Sequence, residues 1–213
     1  LINELKQNNV LVEFKNMSAT DKEKRESIIN ELINMKNVRI KILMHSLAFG
    51  ALRPIINNDS SNSLKQNQIE MTLDVMASSL IYWTQDLFQA KLLQKGSQIF
   101  AMTSSGGHRQ WKSYGAVSAA KASLESYCRQ LALELCEYGI AVNSIQAGVT
   151  DTPALRKIPG NEEMINNAKK INPGKRLTIP LDVAKFISLI GLSNNTWMTG
   201  NNIRVDGGED ITG

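Results

Sequence analysis

The chain has 213 residues, 42% hydrophobic and 21% charged, and its 24 Lys and Arg against 20 Asp and Glu give a formal net charge of +4. That length supports one core, so a single domain over 1–213 is expected. The lysines are scattered among acidic residues, with no basic cluster interleaved with aromatics, and no apolar run reaches the roughly 18 residues of a membrane span. Nucleic acid and membrane are therefore not expected as partners.

The N-terminal stretch LINELKQNNVLVEF lacks a basic-then-apolar signal pattern, which points to a cytoplasmic protein. Cys128 and Cys136 lie eight apart on one predicted helix, too far along its axis to bond, which fits a reducing compartment. Two histidines far apart and no paired cysteine motif give no expected metal site.

In chain order, strands are expected at NVLVEF, VRIKILMHS, SQIFAMTSS, IAVNSIQAG and NIRVDGG. After the first, TDKEKRESIINELINM reads as a surface helix. Thr20 and Glu23 form its capping box, and Ile28, Ile29, Leu32 and Ile33 form its apolar stripe. A polar loop, NNDSSNSLKQNQ, precedes a second helix from about Glu70 to Leu93. A third runs from about Ser113 to Tyr138 and stops at Gly139. Strands alternating with helical crossovers predict an α/β fold, a doubly wound parallel sheet in three layers.

The third helix carries the informative spacing. Val117, Leu124, Cys128, Leu131 and Leu135 form a core stripe, and Tyr114 and Lys121 share much of that face. Seven steps of about 100° fall only about 20° short of two turns, so both side chains leave in nearly one direction, about 10.5 Å apart in rise. The preceding strand ends in Thr103, Ser104 and Ser105, then Gly106 and Gly107. The crevice of a parallel sheet lies beyond its carboxyl ends, so these hydroxyls and the helix start face one cleft. A nearby ammonium favours the ionised phenol, so Lys121 is expected to lower the pKa of Tyr114. His45, at a strand end, reads as a core or rim histidine.

The ordered set of Ser/Thr cluster, Gly-Gly, Tyr-x6-Lys and then IAVNSIQAGVTDTP resembles the short-chain dehydrogenase/reductase family, with its Rossmann-like fold, from about Val38 to Gly208. The six-residue gap is similar to its enoyl-acyl carrier protein reductase branch; most of the family spaces the pair as Tyr-x3-Lys. AFGALRPI, YGAVSAAKASLE, VTDTPALRKIPGNEE and VDGG look most like the NADPH-dependent enoyl reductase III.

The resemblance implies hydride transfer from NADPH, with NADH as the other possibility, to a trans-2-enoyl thioester on acyl carrier protein, in fatty acid biosynthesis, by a homotetramer. It makes Tyr114 the hydrogen-bond donor to the thioester carbonyl. Lys121 becomes the residue that holds the nicotinamide ribose and tunes Tyr114, and Ser104 the family serine. Asn16 and Met17 match adenine contacts, Leu47 the contact beside the adenosine ribose, and Thr150 and Thr152 the carboxamide clamp. Residues 153–178 look like the mobile substrate loop, with Leu155, Ile158, Met164 and Ile165 lining an acyl channel.

Two departures stand out. The chain has no glycine before Gly50, so the glycine-rich turn that cradles a pyrophosphate is absent, and the fold is expected to be N-terminally incomplete, lacking its first βαβ unit. Either the sequence is part of a longer chain or it is a remnant that binds no cofactor; the retained Tyr114, Lys121 and threonines favour the first. Met76 stands where ketone-reducing members place an asparagine. The rivals are a carbonyl or ketoacyl reductase and a non-catalytic scaffold or regulatory protein of the same fold.

Overall fold

The computed structural model describes residues 2–212 apart from Asn9 and Lys36, with only the backbone described for Ile2 and Asn3. Four of the five expected strands pair in one parallel sheet, in the order β1 (Ile40–His45), β2 (Leu93–Ser104), β3 (Ala141–Ala147) and β4 (Asn202–Val205). Parallel pairing demands long return connections, and helices supply them. After α1 (Ile2–Lys6) and α2 (Lys22–Asn34), the crossover from β1 to β2 carries α3 (Gln66–Leu73), a π turn (Asp74–Ser78) and α4 (Ser79–Gln89). The next crossover carries α5 (Gly115–Leu135), and the last carries α6 (Asn161–Ile171) and α7 (Pro180–Leu192).

Side chains alternate across a strand, so a sheet covered on both faces has two cores. On one face Ile99, Ala101 and Val142 pack with Leu80, Leu124, Cys128 and Leu131 of α4 and α5. On the other, Phe100 and Ile145 pack with Val183, Phe186 and Ile187 of α7. Ile99, Phe100 and Ala101 are wholly buried. The expected stripe on α5 is all core, and the helix ends through a 3-10 turn into Gly139, whose φ of 67° is the left-handed conformation glycine tolerates best.

The structure corrects several boundaries. The run NVLVEF begins at Asn9, outside the described residues, and Val10–Phe14 forms no strand. Val10, Leu11 and Phe14 are exposed, with no neighbouring strand to accept their backbone groups. The N-cap of α2 is Asp21, which accepts from Lys24 N at 3.1 Å, so the Thr20–Glu23 capping box does not form. Of its apolar stripe only Ile29 is buried, and Ile33 is exposed. The second helix spans Gln66 to Gln89 with the π turn inside it, and Leu93 already belongs to β2.

Leu124 is wholly buried in α5, whereas Leu133 on the same helix is 76% exposed. Leu124→Ala is expected to cost about 2–5 kcal/mol in urea unfolding and Leu133→Ala less than about 0.5 kcal/mol. Equal costs would contradict the placement of the helix.

Candidate active site

The sheet is parallel, so His45, Ser104 and Ala147 end their strands at one edge. Beyond Ser104 the chain turns through Ser105–Gly107 and reaches Ser113, whose φ of 64° is left-handed. A non-glycine residue there costs on the order of 1–2 kcal/mol and persists only where its neighbours hold it. Tyr114 follows as the N-cap of α5, its N–H bonded to Trp111 O at 3.1 Å and its carbonyl accepting from Ser118 N at 2.8 Å. Gly106 lets the phenol ring lie against the turn, because a Cβ there would sit 2.7 Å from Tyr114 Cε1 and 3.1 Å from Ser104 Oγ.

Two turns along α5, the buried Lys121 Nζ donates to the Met102 carbonyl at 2.6 Å. One turn further, the Glu125 carboxylate accepts from Thr103 Oγ1 at 2.6 Å. Helix and strand are thus stitched along their facing lengths. Met102 and Ser104 lie two residues apart, about 7 Å along the strand, so phenol and ammonium end at one stretch of β2. Ser104 Oγ is buried without a hydrogen-bond partner. A buried hydroxyl beside the phenol with no well-formed hydrogen bond suits a polar group of a ligand, since leaving it unpaired costs free energy.

Burial lowers the pKa of Lys121 to about 8, partly offset by the Glu125 charge. Burial raises that of Tyr114 above its ordinary 10, and the nearby Ser104 hydroxyl only partly opposes it. The expectation that Lys121 would depress the phenol is therefore reversed in sign. The ammonium is turned to the Met102 carbonyl, desolvation governs the phenol, and Tyr114 keeps its proton.

His45 is buried, as its strand-end position leads one to expect, and the fold places it beside this group. Its register partner is Ala101, next to Met102. Its Nε2 lies 2.8 Å from Ser79 Oγ, which itself donates to Val75 O at 2.8 Å, so the imidazole is the donor and its buried Nδ1 has no partner. Burial, then the Lys121 charge, lowers its pKa to about 4, so it is neutral at pH 7. A strand-end position alone carries no sequence signal for these neighbours.

The remaining candidates spread along the same edge. Leu47, half-buried just past β1, lines a concavity of about 290 Å³ with Ala19, Leu80 and Trp83. Asn16 is exposed and Met17 half-buried on the segment leading to Ala19. After β3, Thr150 Oγ1 donates to Gly148 O at 2.9 Å. Thr152 Oγ1 accepts from Leu155 N at 3.1 Å, at the start of the turn Leu155–Lys157. Leu155 and Ile158 are buried, while Met164 and Ile165 are half-buried on α6. Trp111 Nε1 donates to Pro159 O at 3.0 Å, tying the Tyr114 loop to this segment. Met76 is 1% exposed and packs with Val117 and Ala120. Among the described residues no cluster of three or more His, Cys, Asp or Glu is placed to hold a metal, and no helix is long and apolar enough to cross a membrane.

A profile of the family described as enoyl-(acyl carrier protein) reductase matches residues 2–209. The chain belongs to the enoyl-(acyl carrier protein) reductase family. It is 32% identical over 176 residues to an NADH-type enoyl-[acyl-carrier-protein] reductase of Nostoc sp., covering 82% of this chain and 66% of that one. It is 29% identical over 190 residues to an NADPH-type enzyme of Staphylococcus aureus, covering 88% of this chain and 73% of that one. The chain thus spans about two thirds to three quarters of these relatives. In fold it superposes on the reductase of Aquifex aeolicus with a TM-score of 0.81 at 24% identity, covering 92% of this chain and 74% of that one. The Bacillus cereus reductase, solved with NADP+ and an indole naphthyridinone, gives 0.82 at 24% identity, covering 92% and 75%.

Buried charge at Lys121 has a measurable cost. A lysine at about 8 in the fold and near its ordinary 10.5 when unfolded leaves the unfolded chain binding more protons between those values, so stability rises with pH across that window, by about 3 kcal/mol in all. Lys121→Met is therefore expected to unfold at higher urea than wild type at pH 7, with the gap narrowing toward pH 10. A gap independent of pH would contradict the burial.

Proposed function

We propose that the protein is an enoyl-thioester reductase, reducing the double bond of a trans-2-enoyl chain on acyl carrier protein, in fatty acid biosynthesis. The observation that carries this reading is that the Tyr114 ring lies against Gly106 beside the buried Ser104 hydroxyl, while the Lys121 ammonium is held at Met102, two residues earlier on the same strand. The nicotinamide half of a dinucleotide fits these groups: a buried hydroxyl, an ammonium with donors beyond the one given to Met102, and the Thr150 and Thr152 hydroxyls on the next loop. Leu47, with Asn16 and Met17 nearer α2, suits the adenosine half. The pyrophosphate cradle has no counterpart before Gly50; a further βαβ unit, its strand paired on the open edge of β1, is where it would sit.

When bound, NAD(P)H supplies a hydride, with NADPH as the preferred form by sequence resemblance. The Tyr114 phenol, kept protonated by burial, would donate a hydrogen bond to the thioester carbonyl. The alkene pair moves toward that carbonyl, and the phenol stabilises the negative charge arriving on its oxygen. The proton that the α-carbon needs to complete the saturated product would come from solvent. Lys121 holds the ribose hydroxyls, and Ser104 supports the phenol. Within 153–178, Leu155, Ile158, Met164 and Ile165 offer apolar surface to the acyl chain. Met76 places a thioether where ketone reduction uses an asparagine amide, which favours the enoyl substrate.

The protein is further proposed to act in the cytoplasm as a homotetramer. Leu181, Leu189 and Leu192 lie on one exposed stripe of α7, and Trp197 beyond it is 90% exposed; apolar surface of this kind suits self-association.

The test is nicotinamide oxidation by the full-length protein with crotonyl- and acetoacetyl-thioesters. Oxidation with crotonyl-thioester, and a fall of on the order of 100-fold or more in kcat for Tyr114→Phe, are expected. Oxidation with the ketone alone would overturn the substrate, and failure to bind either dinucleotide would indicate the scaffold reading.

A further inference from the structure

The turn after β4 reaches two loops of the candidate site at once. The Asp206 carboxylate accepts from Gly208 N at 2.9 Å and from Asp210 N at 3.0 Å, and Gly207 and Gly208 adopt φ of 66° and 83°, which folds the chain back over the strand ends. From this turn, Glu209 and Asp210 diverge.

The Glu209 carboxylate accepts the Val149 N–H through both oxygens, at 3.0 and 3.2 Å. Val149 immediately precedes Thr150. The fit is close, because a Cβ on Gly148 would lie 3.0 Å from Glu209 Oε2. Burial raises the pKa of Glu209, against the bonds from Val149 and Asn172, so a desolvated carboxyl is kept at this spot.

Asp210 turns the other way, toward the loop between β2 and α5. Its side chain is 3% exposed and meets His108 Nε2 at 3.1 Å, Arg109 Nε at 2.8 Å and Arg204 Nε at 3.2 Å. Its backbone carbonyl takes a further bond from Arg109 Nη2 at 2.7 Å. Arg109 is therefore held by two atoms of one residue, five positions before Tyr114. Between them lies the left-handed Ser113, a conformation that needs external support.

We propose that Glu209 and Asp210 are positioning residues, one holding the Thr150 loop and the other the Tyr114 loop, so that the two loops face each other at a working separation. The role rests on the reading of Tyr114 and Thr150 given above. In this role each carboxylate acts through the loop it ties. Removing the Asp210 charge releases the loop leading into Tyr114 and slows turnover. Removing the Glu209 charge loosens Val149 and weakens dinucleotide binding.

The experiment compares full-length wild type with Asp210→Asn, Asp210→Glu and Glu209→Gln by amide hydrogen exchange and by steady-state kinetics with crotonyl-thioester. Asp210→Asn is expected to speed exchange in 105–113 and lower kcat on the order of ten- to a hundredfold, with KM for the dinucleotide changed less. Asp210→Glu, which keeps the charge, should recover part of the loss. Glu209→Gln is expected to speed exchange in 148–152 and raise KM for the dinucleotide several-fold, leaving 105–113 protected. Unchanged exchange in both loops, or an equal loss of protection throughout, would overturn the proposal. If wild type turns over no enoyl-thioester while exchange responds as described, the clamp stands and the assigned reaction falls.

Discussion

The candidate site is organised around one buried ammonium. Lys121 Nζ sits on the Met102 carbonyl, inside the seam between α5 and β2, where water cannot solvate it. A charge so placed is costly, and burial lowers its pKa to about 8. Its neighbours are consistent with that cost. His45 on β1 is neutral at pH 7, so it adds no second positive charge, and Glu125 lies one turn away with its carboxylate on Thr103. Fold stability alone gives no reason to keep an ammonium there. The proposed dinucleotide, whose ribose hydroxyls would complete its hydrogen bonds, does.

Around that point the fold arranges hydroxyls and one phenol along a single edge of the sheet. Parallel pairing brings the ends of β1, β2 and β3 together, and each loop contributes something different: apolar cover at Leu47, acid–base and hydrogen-bonding groups at Ser104 and Tyr114, hydroxyls at Thr150 and Thr152. Local structure sets each group's chemistry. Gly106 admits the phenol ring to the turn, and burial keeps its proton on. The turn after β4 then crosses the end of β3 to reach the loop after β2, so elements distant in sequence share one mechanical frame.

Much of this was legible in the residues. The core stripe on α5 follows from helical spacing, as does the reach of Tyr114 and Lys121 toward one strand, and four of the five expected strands formed. What failed depended on contacts that spacing does not encode. NVLVEF has strand composition, but a strand exists only where a neighbour pairs with it. Asp21 outcompeted Thr20 as the cap of α2 by one position. The sign of the Tyr114 shift required knowing where the Lys121 ammonium points. The clamping roles of Glu209 and Asp210 gave no signal because the loop residues they hold, Val149, His108 and Arg109, lie 60 to 102 positions away.

The most direct measurement is the affinity of the full-length protein for reduced dinucleotide, with and without the ammonium, at pH 7, followed by energy transfer from tryptophan to nicotinamide. Losing charged hydrogen bonds to the ribose should weaken binding by Lys121→Met on the order of ten- to a hundredfold, even as the variant gains stability. Equal affinity of the two proteins would contradict the account.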